Sequence, residues 1–326
     1  MRDKADGNDC VIALDVGGTS MKGALLGRDL KALRTVRGAT PRRAGPDAVI
    51  AEICAVLRDL DRDAATRGLR VQGAGVVVPG IVDEETGTAV YSANLGWRDL
   101  PLAALLEGTS GLPVALGHDV RAGGVAECRL GAARGAQDVW FVPIGTGISA
   151  AVFCDGRPVR AHGYAGELGH VVVEPGGEPC ACGARGCLET AASAAAISSA
   201  YSARSGRRVE GAAAVAARLA QGDPDARAVW DRAVEALATA LATATTLFAP
   251  EVVVLGGGLA EAGGPLLDPL RASLARRLTF QRRPELVLAA LGDMAGCLGA
   301  GLAAWHAADG AGSPQRLPET PWAATS

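Results

Sequence analysis

From Glu167 to Glu189 the chain reads Glu-Leu-Gly-His-Val-Val-Val-Glu-Pro-Gly-Gly-Glu-Pro-Cys-Ala-Cys-Gly-Ala-Arg-Gly-Cys-Leu-Glu. Three of its eight cysteines, Cys180, Cys182 and Cys187, fall within eight residues, and His170 lies ten positions before the first. Four sulfur and imidazole donors, with Gly183 and Gly186 to let the backbone curl, satisfy a tetrahedral Cys3His zinc site. A disulfide or chance clustering would use fewer of these features. The other cysteines, Cys10, Cys54, Cys128, Cys154 and Cys297, stand apart in apolar surroundings and read as reduced core thiols of a cytoplasmic protein.

The length of 326 residues predicts two domains, and 49% hydrophobic with 21% charged residues is the balance of a soluble globular chain. A net charge of −3 argues against nucleic acid or an anionic membrane as partner. Residues 1–9 are charged and lack the apolar core of a signal peptide. The most apolar helical stretch, 233–249, carries Glu235 and four threonines, so it reads as a buried helix rather than a membrane span.

Apolar runs at 10–15 and 22–26 flank Asp15-Val16-Gly17-Gly18-Thr19 and predict a hairpin whose turn offers free N–H groups and the Thr19 hydroxyl. Such a turn can hold phosphate oxygens, although many hairpins carry it with no ligand. A helix is expected over 46–67 from Val49, Ile50, Ile53, Val56, Leu57 and Leu60. A buried strand at 73–79, a short hairpin at 81–91, an aperiodic loop at 92–97, a short helix from Leu102 and a strand at 113–116 follow, the last leading to Gly117-His118-Asp119. After a helix at 121–129 and a strand at 139–143, Gly145-Thr146-Gly147 precedes a strand at 148–154 and echoes the first turn. The repetition suggests two α/β halves related by duplication.

Beyond the cysteines, one helix is expected over 191–203, another over 211–220, and a long one from Asp223-Pro224 to Phe248, where Pro224 suits a first turn. A strand at 251–255 runs into Gly256-Gly257-Gly258, compatible with a nucleotide or simply with a tight connection to a helix. A strand at 286–290 and a closing helix at 296–307 complete the alternation, which predicts α/β architecture with mainly parallel central sheets and a cleft between the halves. Asp119, at a strand end, is the best-placed carboxylate for a general base, and by residue type it would equally serve as the N-cap of the following helix.

Glu-x-Gly-His followed by Cys-x-Cys-Gly-x-x-Gly-Cys-x-Glu closely resembles the signature of the ROK family (repressors, open reading frames, sugar kinases). The resemblance spans about residues 11–307 and takes in Asp15–Thr19, Asn94 in Asn-Leu-Gly-Trp, Asp119, Gly145–Gly147, Glu167, His170, the cysteines, Glu189 and Gly256–Gly258. It implies a two-domain actin-like (ribonuclease H-like) ATPase fold with an interdomain cleft. Residues 10–118 and 297–308 would form the smaller domain and 119–296 the larger one with the zinc loop, leaving 1–9 and 309–326 as disordered tails. It implies a hexose kinase, most simply a glucokinase, in which Asp119 takes the proton from the sugar 6-hydroxyl. Asn94, His118, Asp119, Glu167, His170 and Glu189 would contact the sugar. Mg-ATP would lie on Asp15, Gly17, Gly18, Thr19, Lys22, Gly145, Thr146, Gly147, Gly256, Gly257 and Gly258, with Asp15 positioning the hydrated Mg2+. The zinc, on His170, Cys180, Cys182 and Cys187, would be structural, one His170 nitrogen binding metal and the other facing the sugar. The resemblance also implies a homodimer or homotetramer.

Two residues depart from the family pattern. Family members carry Asn immediately before the catalytic Asp, where this chain has His118, and Lys after the Gly-Gly-Thr loop, where it has Ser20, with Lys22 close by. The first departure opens an alternative substrate, an amino-hexose or epimer such as N-acetylmannosamine, N-acetylglucosamine or kanosamine, or a non-catalytic sugar-binding role, which the intact Asp119 argues against. A repressor would need a DNA-binding segment before the first strand, where nine residues stand. Polyphosphate is the alternative phosphoryl donor.

Overall fold

The computed structural model describes residues 8–310. It divides into two compact units, one of residues 8–126, 160–165 and 293–310, the other of 127–159 and 166–292. The division falls after Ala126 rather than after His118, so Asp119 belongs to the first unit. Of the expected tails, 1–7 and 311–326 lie outside the described residues. Asp9 opens the first strand, and Asp309 receives Arg28 Nη1 at 2.8 Å.

The first unit is built on a five-stranded sheet. Strands β1 (Asp9–Val16), β2 (Ser20–Gly27) and β3 (Ala32–Ala39) pair antiparallel, and β4 (Arg70–Val78) and β8 (Val114–His118) extend the sheet in parallel beyond β1. Alternate residues of β1 feed two cores. Cys10, Ile12, Leu14 and Val16 pack with Val49, Ile53, Leu57 and Leu60 of helix α1 (Pro46–Thr66), whose apolar residues recur every three or four positions. Val11 and Ala13 face Cys297, Ala300, Ala304 and Trp305 of the last helix, α9 (Ala295–Ala308). That helix presses so closely that a Cβ on Gly75 of β4 would lie 1.9 Å from the Ala300 carbonyl oxygen. Strands β5 (Ile81–Asp83), β6 (Thr88–Ser92) and β7 (Trp97–Leu100) form a small antiparallel sheet, and helix α2 (Leu102–Ser110) precedes β8. Strand β7 begins where an irregular loop was expected. The chain leaves the unit within helix α3 (Asp119–Leu130).

The second unit repeats the sheet plan. Strands β9 (Val139–Pro143), β10 (Ala151–Cys154) and β11 (Arg157–Pro158) pair antiparallel, while β12 (Val252–Gly256) and β13 (Glu285–Leu288) add in parallel beyond β9. In each unit the strand order is third, second, first, fourth, fifth. Two pairings of each sheet are antiparallel, which corrects the expectation of mainly parallel sheets. Helix α7 (Pro224–Phe248) forms the apolar spine, burying Trp230, Val234, Leu237 and Leu241. Its start is set by Asp223, whose carboxylate accepts the N–H groups of Asp225 and Ala226. Helices α6 (Gly211–Ala220) and α8 (Gly264–Arg277) complete the layer.

The single helix expected over 191–203 is two, α4 (Leu188–Ala192) and α5 (Ala194–Ser205). Ser193 takes extended backbone (φ −67°, ψ 155°) and its hydroxyl caps the Ala196 N–H, so an alanine-rich run is interrupted by one capping residue. Wholly buried Glu127 accepts N–H groups from Ala132 (2.8 Å), Leu291 (2.9 Å) and Ala290 (3.2 Å). Among the described residues no helix is long and apolar enough to cross a membrane.

Candidate active site

Strand register gathers the carboxylates of the first unit at one end of its sheet. Asp15 pairs with Val77 and Val77 with Gly117, so the carboxyl ends of β1, β4 and β8 lie side by side. Carboxyl ends of parallel strands are where open α/β sheets bind ligands. Asp15 and His118-Asp119 therefore share a rim with the turn at Gly17–Thr19. The turn is held from two sides: Gly17 N–H donates to Ser20 O at 2.9 Å, and Thr40 donates its hydroxyl to Gly17 O (2.7 Å) and its N–H to Thr19 O (3.0 Å). The Thr40 strap was not foreseen, because the two positions share no local pattern. Gly18 faces Asn94; a Cβ on Gly18 would lie 3.7 Å from the Asn94 Cβ. The asparagine is thus brought to the loop by the turn after β6.

Asp15 is pushed up to about 7, first by burial, then by the negative charge of Asp119, with Lys22 opposing and Asp293 adding to the rise. Lys22 is committed to the loop before α9, donating to Asp293 O at 3.0 Å and lying 3.6 Å from its carboxylate. Asp119 is raised to about 6, chiefly by burial, while the Val120 N–H and Arg121 pull it down. Its side chain keeps 26% of its surface exposed. That combination, a carboxylate poised near neutrality with an open face, suits a base that must accept a proton from a bound hydroxyl. Asp119 does not cap α3 across the first turn: the Arg121 N–H goes to His118 Nδ1 at 3.3 Å, and Asp119 Oδ1 accepts the adjacent Val120 N–H, at 2.7 Å.

Beneath this pair lies a charge network that local reading could not find. Glu84 accepts Arg121 Nε (2.9 Å) and Arg160 Nε (2.8 Å), and the two cations hold its carboxyl below the usual range against the cost of burial. Arg121 also donates to Val82 O at 3.0 Å. The partners are 37 and 76 residues apart. They anchor 160–165 to the first unit.

In the second unit the two glycine loops are brought together at the corresponding end of the sheet. Pro143 pairs with Gly256, Ile144 N–H donates to Gly256 O (2.8 Å), and Leu259 N–H returns to Ile144 O (3.1 Å). Gly257 has φ +76° and its α-carbon lies against Ile144, a place only glycine fills without strain. Gly145-Thr146-Gly147 closes through Gly145 N–H to Gly147 O at 2.9 Å. Glu189, in the first turn of α4, accepts the Ile148 N–H at 2.9 Å.

His170, Cys180, Cys182 and Cys187 place their donor atoms within 4.8 Å of one another. Cys180 Sγ is 3.6 Å from His170 Nδ1, and Cys182 Sγ is 3.7 Å from Cys187 Sγ. A tetrahedron with metal–sulfur bonds of about 2.3 Å has edges of about 3.8 Å, so the residues fit one zinc ion. His170 Nε2, the nitrogen away from the cysteines, lies 3.8 Å from Glu167 Oε2.

A ROK family sequence profile matches residues 11–307. A glucokinase of Thermotoga maritima is 34% identical over 307 residues, which cover 89% of this chain and 95% of that protein. A ROK hexokinase from Thermus thermophilus superposes with a TM-score of 0.80 at 33% identity, over 92% of this chain and 99% of that one. A ROK family glucokinase from Streptomyces griseus, solved in complex with glucose and AMPPNP, gives 0.78 at 30% identity over 91% and 99%. The fold is accordingly the actin-like ATPase fold of these kinases, and the chain belongs to the ROK family.

Proposed function

We propose that this protein is an ATP-dependent hexose kinase that phosphorylates the 6-hydroxyl of glucose. The observation that carries the reading is Asp119, a carboxylate raised to about 6 by burial yet partly open at the carboxyl end of β8. Near neutral pH it is ionised and can accept the proton of the attacking hydroxyl. Asn94, Glu167, His170 and Glu189 fix the sugar by hydrogen bonds to its hydroxyls. The turns at Gly17–Thr19, Gly145–Gly147 and Gly256–Gly258 bind the donor's phosphates and nucleotide through the N–H groups their internal hydrogen bonds leave over, and Asp15 would orient the hydrated Mg2+. Phosphoryl transfer asks mainly for such positioning and charge stabilisation. His170, Cys180, Cys182 and Cys187 would hold a zinc ion, which would supply rigidity by fixing the His170 ring through Nδ1.

The test is a coupled assay with Mg-ATP over glucose, mannose, N-acetylmannosamine, N-acetylglucosamine and kanosamine, repeated with polyphosphate as donor. Glucose should give the highest kcat/KM with ATP. A higher value for an amino-hexose would replace the substrate, a preference for polyphosphate would replace the donor, and no turnover of any sugar would overturn the kinase reading.

A further inference from the structure

His118 directs both ring nitrogens at protein groups. Nδ1 accepts the Arg121 N–H at 3.3 Å, and Nε2 lies 3.4 Å from Asp119 Oδ1. The residue is buried, with 6% of its surface exposed. A nitrogen that accepts a hydrogen bond carries no proton, so this contact assigns the proton of the neutral ring to Nε2, the nitrogen that faces the carboxylate. The helix itself imposes the tautomer. The Arg121 N–H is one of the first-turn donors of α3 that no helical carbonyl can satisfy, and His118 supplies the acceptor from the residue before the helix.

We propose that His118 is a positioning residue for Asp119: its Nε2–H holds the carboxylate in the ionised, oriented form that proton abstraction needs, and it does not select the sugar. The proposal rests on the reading of Asp119 as the base. It accounts for the placement of the histidine better than direct sugar recognition does, because a hydroxyl would have to compete with Asp119 for Nε2.

The groups around the pair act in opposite senses. On the same helix, Arg121 and the Val120 N–H favour the ionised carboxylate, and at the end of β8 His118 Nε2 lies 3.4 Å from it. From β1, Asp15 opposes it, itself modulated by Lys22 of β2 and by Asp293. From the segment after β5, Glu84 lies against the other side of His118, 3.4 Å from its N–H, and is neutralised by Arg121 and by Arg160. His118 Nε2 is thus the side-chain nitrogen that the described contacts place beside Asp119 Oδ1. Removing it favours the protonated acid, so the pKa of the base rises. A base works only when deprotonated, so activity is then lost from the acid side.

The experiment measures kcat and KM against pH from 5 to 9 for the parent protein, His118→Phe, His118→Asn and His118→Gln, with glucose, mannose and N-acetylmannosamine as substrates. The expected result for His118→Phe is an acid limb of kcat displaced upward by about one pH unit, as for loss of one hydrogen bond to a charged group. Its kcat should fall about tenfold near pH 5, about fivefold near pH 6 and by little near pH 8, with the KM for glucose and the ranking of sugars unchanged. His118→Gln, whose amide can still donate, should recover part of the loss. If the phenylalanine variant does not fold, the displacement is read from His118→Asn, whose shorter amide reaches Oδ1 less well. A changed ranking of sugars with an unmoved acid limb would overturn the proposal and make His118 a reader of the substrate. An unmoved limb together with an inactive Asp119→Asn would refute the role of His118 alone; full turnover in Asp119→Asn would remove the base and this proposal with it.

Discussion

The two units share a sheet plan and divide the chemistry unequally. In the first, the carboxyl ends of the strands carry Asp15 on β1 and His118-Asp119 at the end of β8. In the second, the strand in the place of β1 ends at Pro143 before its glycine turn, and the one in the place of β8 ends at Leu288-Ala289-Ala290. The glycine turns recur and the carboxylates do not. Backbone N–H groups able to bind phosphate come with the strand–turn geometry and are repeated with it. A base needs one side chain in one environment. The second unit instead carries the loop of His170 and the three clustered cysteines, and the larger helical core.

That asymmetry can be broken at several points. The largest effect is expected from Asp119→Asn, which should lower kcat by about 10²–10⁴-fold while leaving the sugar bound. Turnover near the parent value, with the protein folded by circular dichroism, would move the chemistry elsewhere. Next comes Cys182→Ser in the second unit. Elemental analysis of the parent, purified without chelator, should find about one zinc per chain. The variant should hold well under half of that, with activity falling by roughly tenfold or more and thermal stability falling with it, because metal binding and loop order are coupled. A parent protein that contains no zinc would end this reading.

The smallest effect concerns stability and has the opposite sign. Asp15 is raised from 3.8 to about 7, so its contribution to stability is fully present below pH 3.8 and is lost as pH rises through about 7. Above that pH the folded protein bears a partly buried charge that the unfolded chain does not. Asp15→Asn should therefore raise Tm at pH 8 by a few degrees, on the order of 1–3 kcal/mol, with a smaller gain at pH 5 and little turnover left. Scanning calorimetry at the two pH values checks this. A variant destabilised at pH 8 would show that Asp15 is tied into the fold by contacts stronger than its desolvation cost. Nothing at the matching end of the second sheet should behave likewise.

The main elements of both units were legible in the sequence where a periodic apolar pattern was tied to one secondary structure. Helix α1 and helix α7 begin and end within a residue of their expected bounds. Strand β3 escaped because it is an edge strand with most of its residues facing solvent, so Arg34 and Arg37 stand where alternation would be sought. Strand β7 escaped because it is four residues long, with one buried. The clustering of His170, Cys180, Cys182 and Cys187 was legible because their donor types and spacing are local. The network of Glu84, Arg121 and Arg160 was not, since it joins residues that only the tertiary fold brings together. The tautomer of His118 was likewise hidden: it depends on which nitrogen the start of a helix needs.

The first unit is assembled from three separate stretches of chain, and the last of them, from residue 293, contributes the helix α9 that packs on one face of its sheet. On a ribosome this matters. After Ala126 is made, roughly 170 further residues must be added before that helix begins, which at ~5–20 residues per second is on the order of ten seconds or more. Throughout that interval Val11, Ala13, Ala24, Leu26 and Val77 have no lid. The second unit, whose long middle stretch is continuous, can close first. The order of folding is therefore expected to run against the order of synthesis, with the unit bearing Asp119 completed only when the final helix emerges.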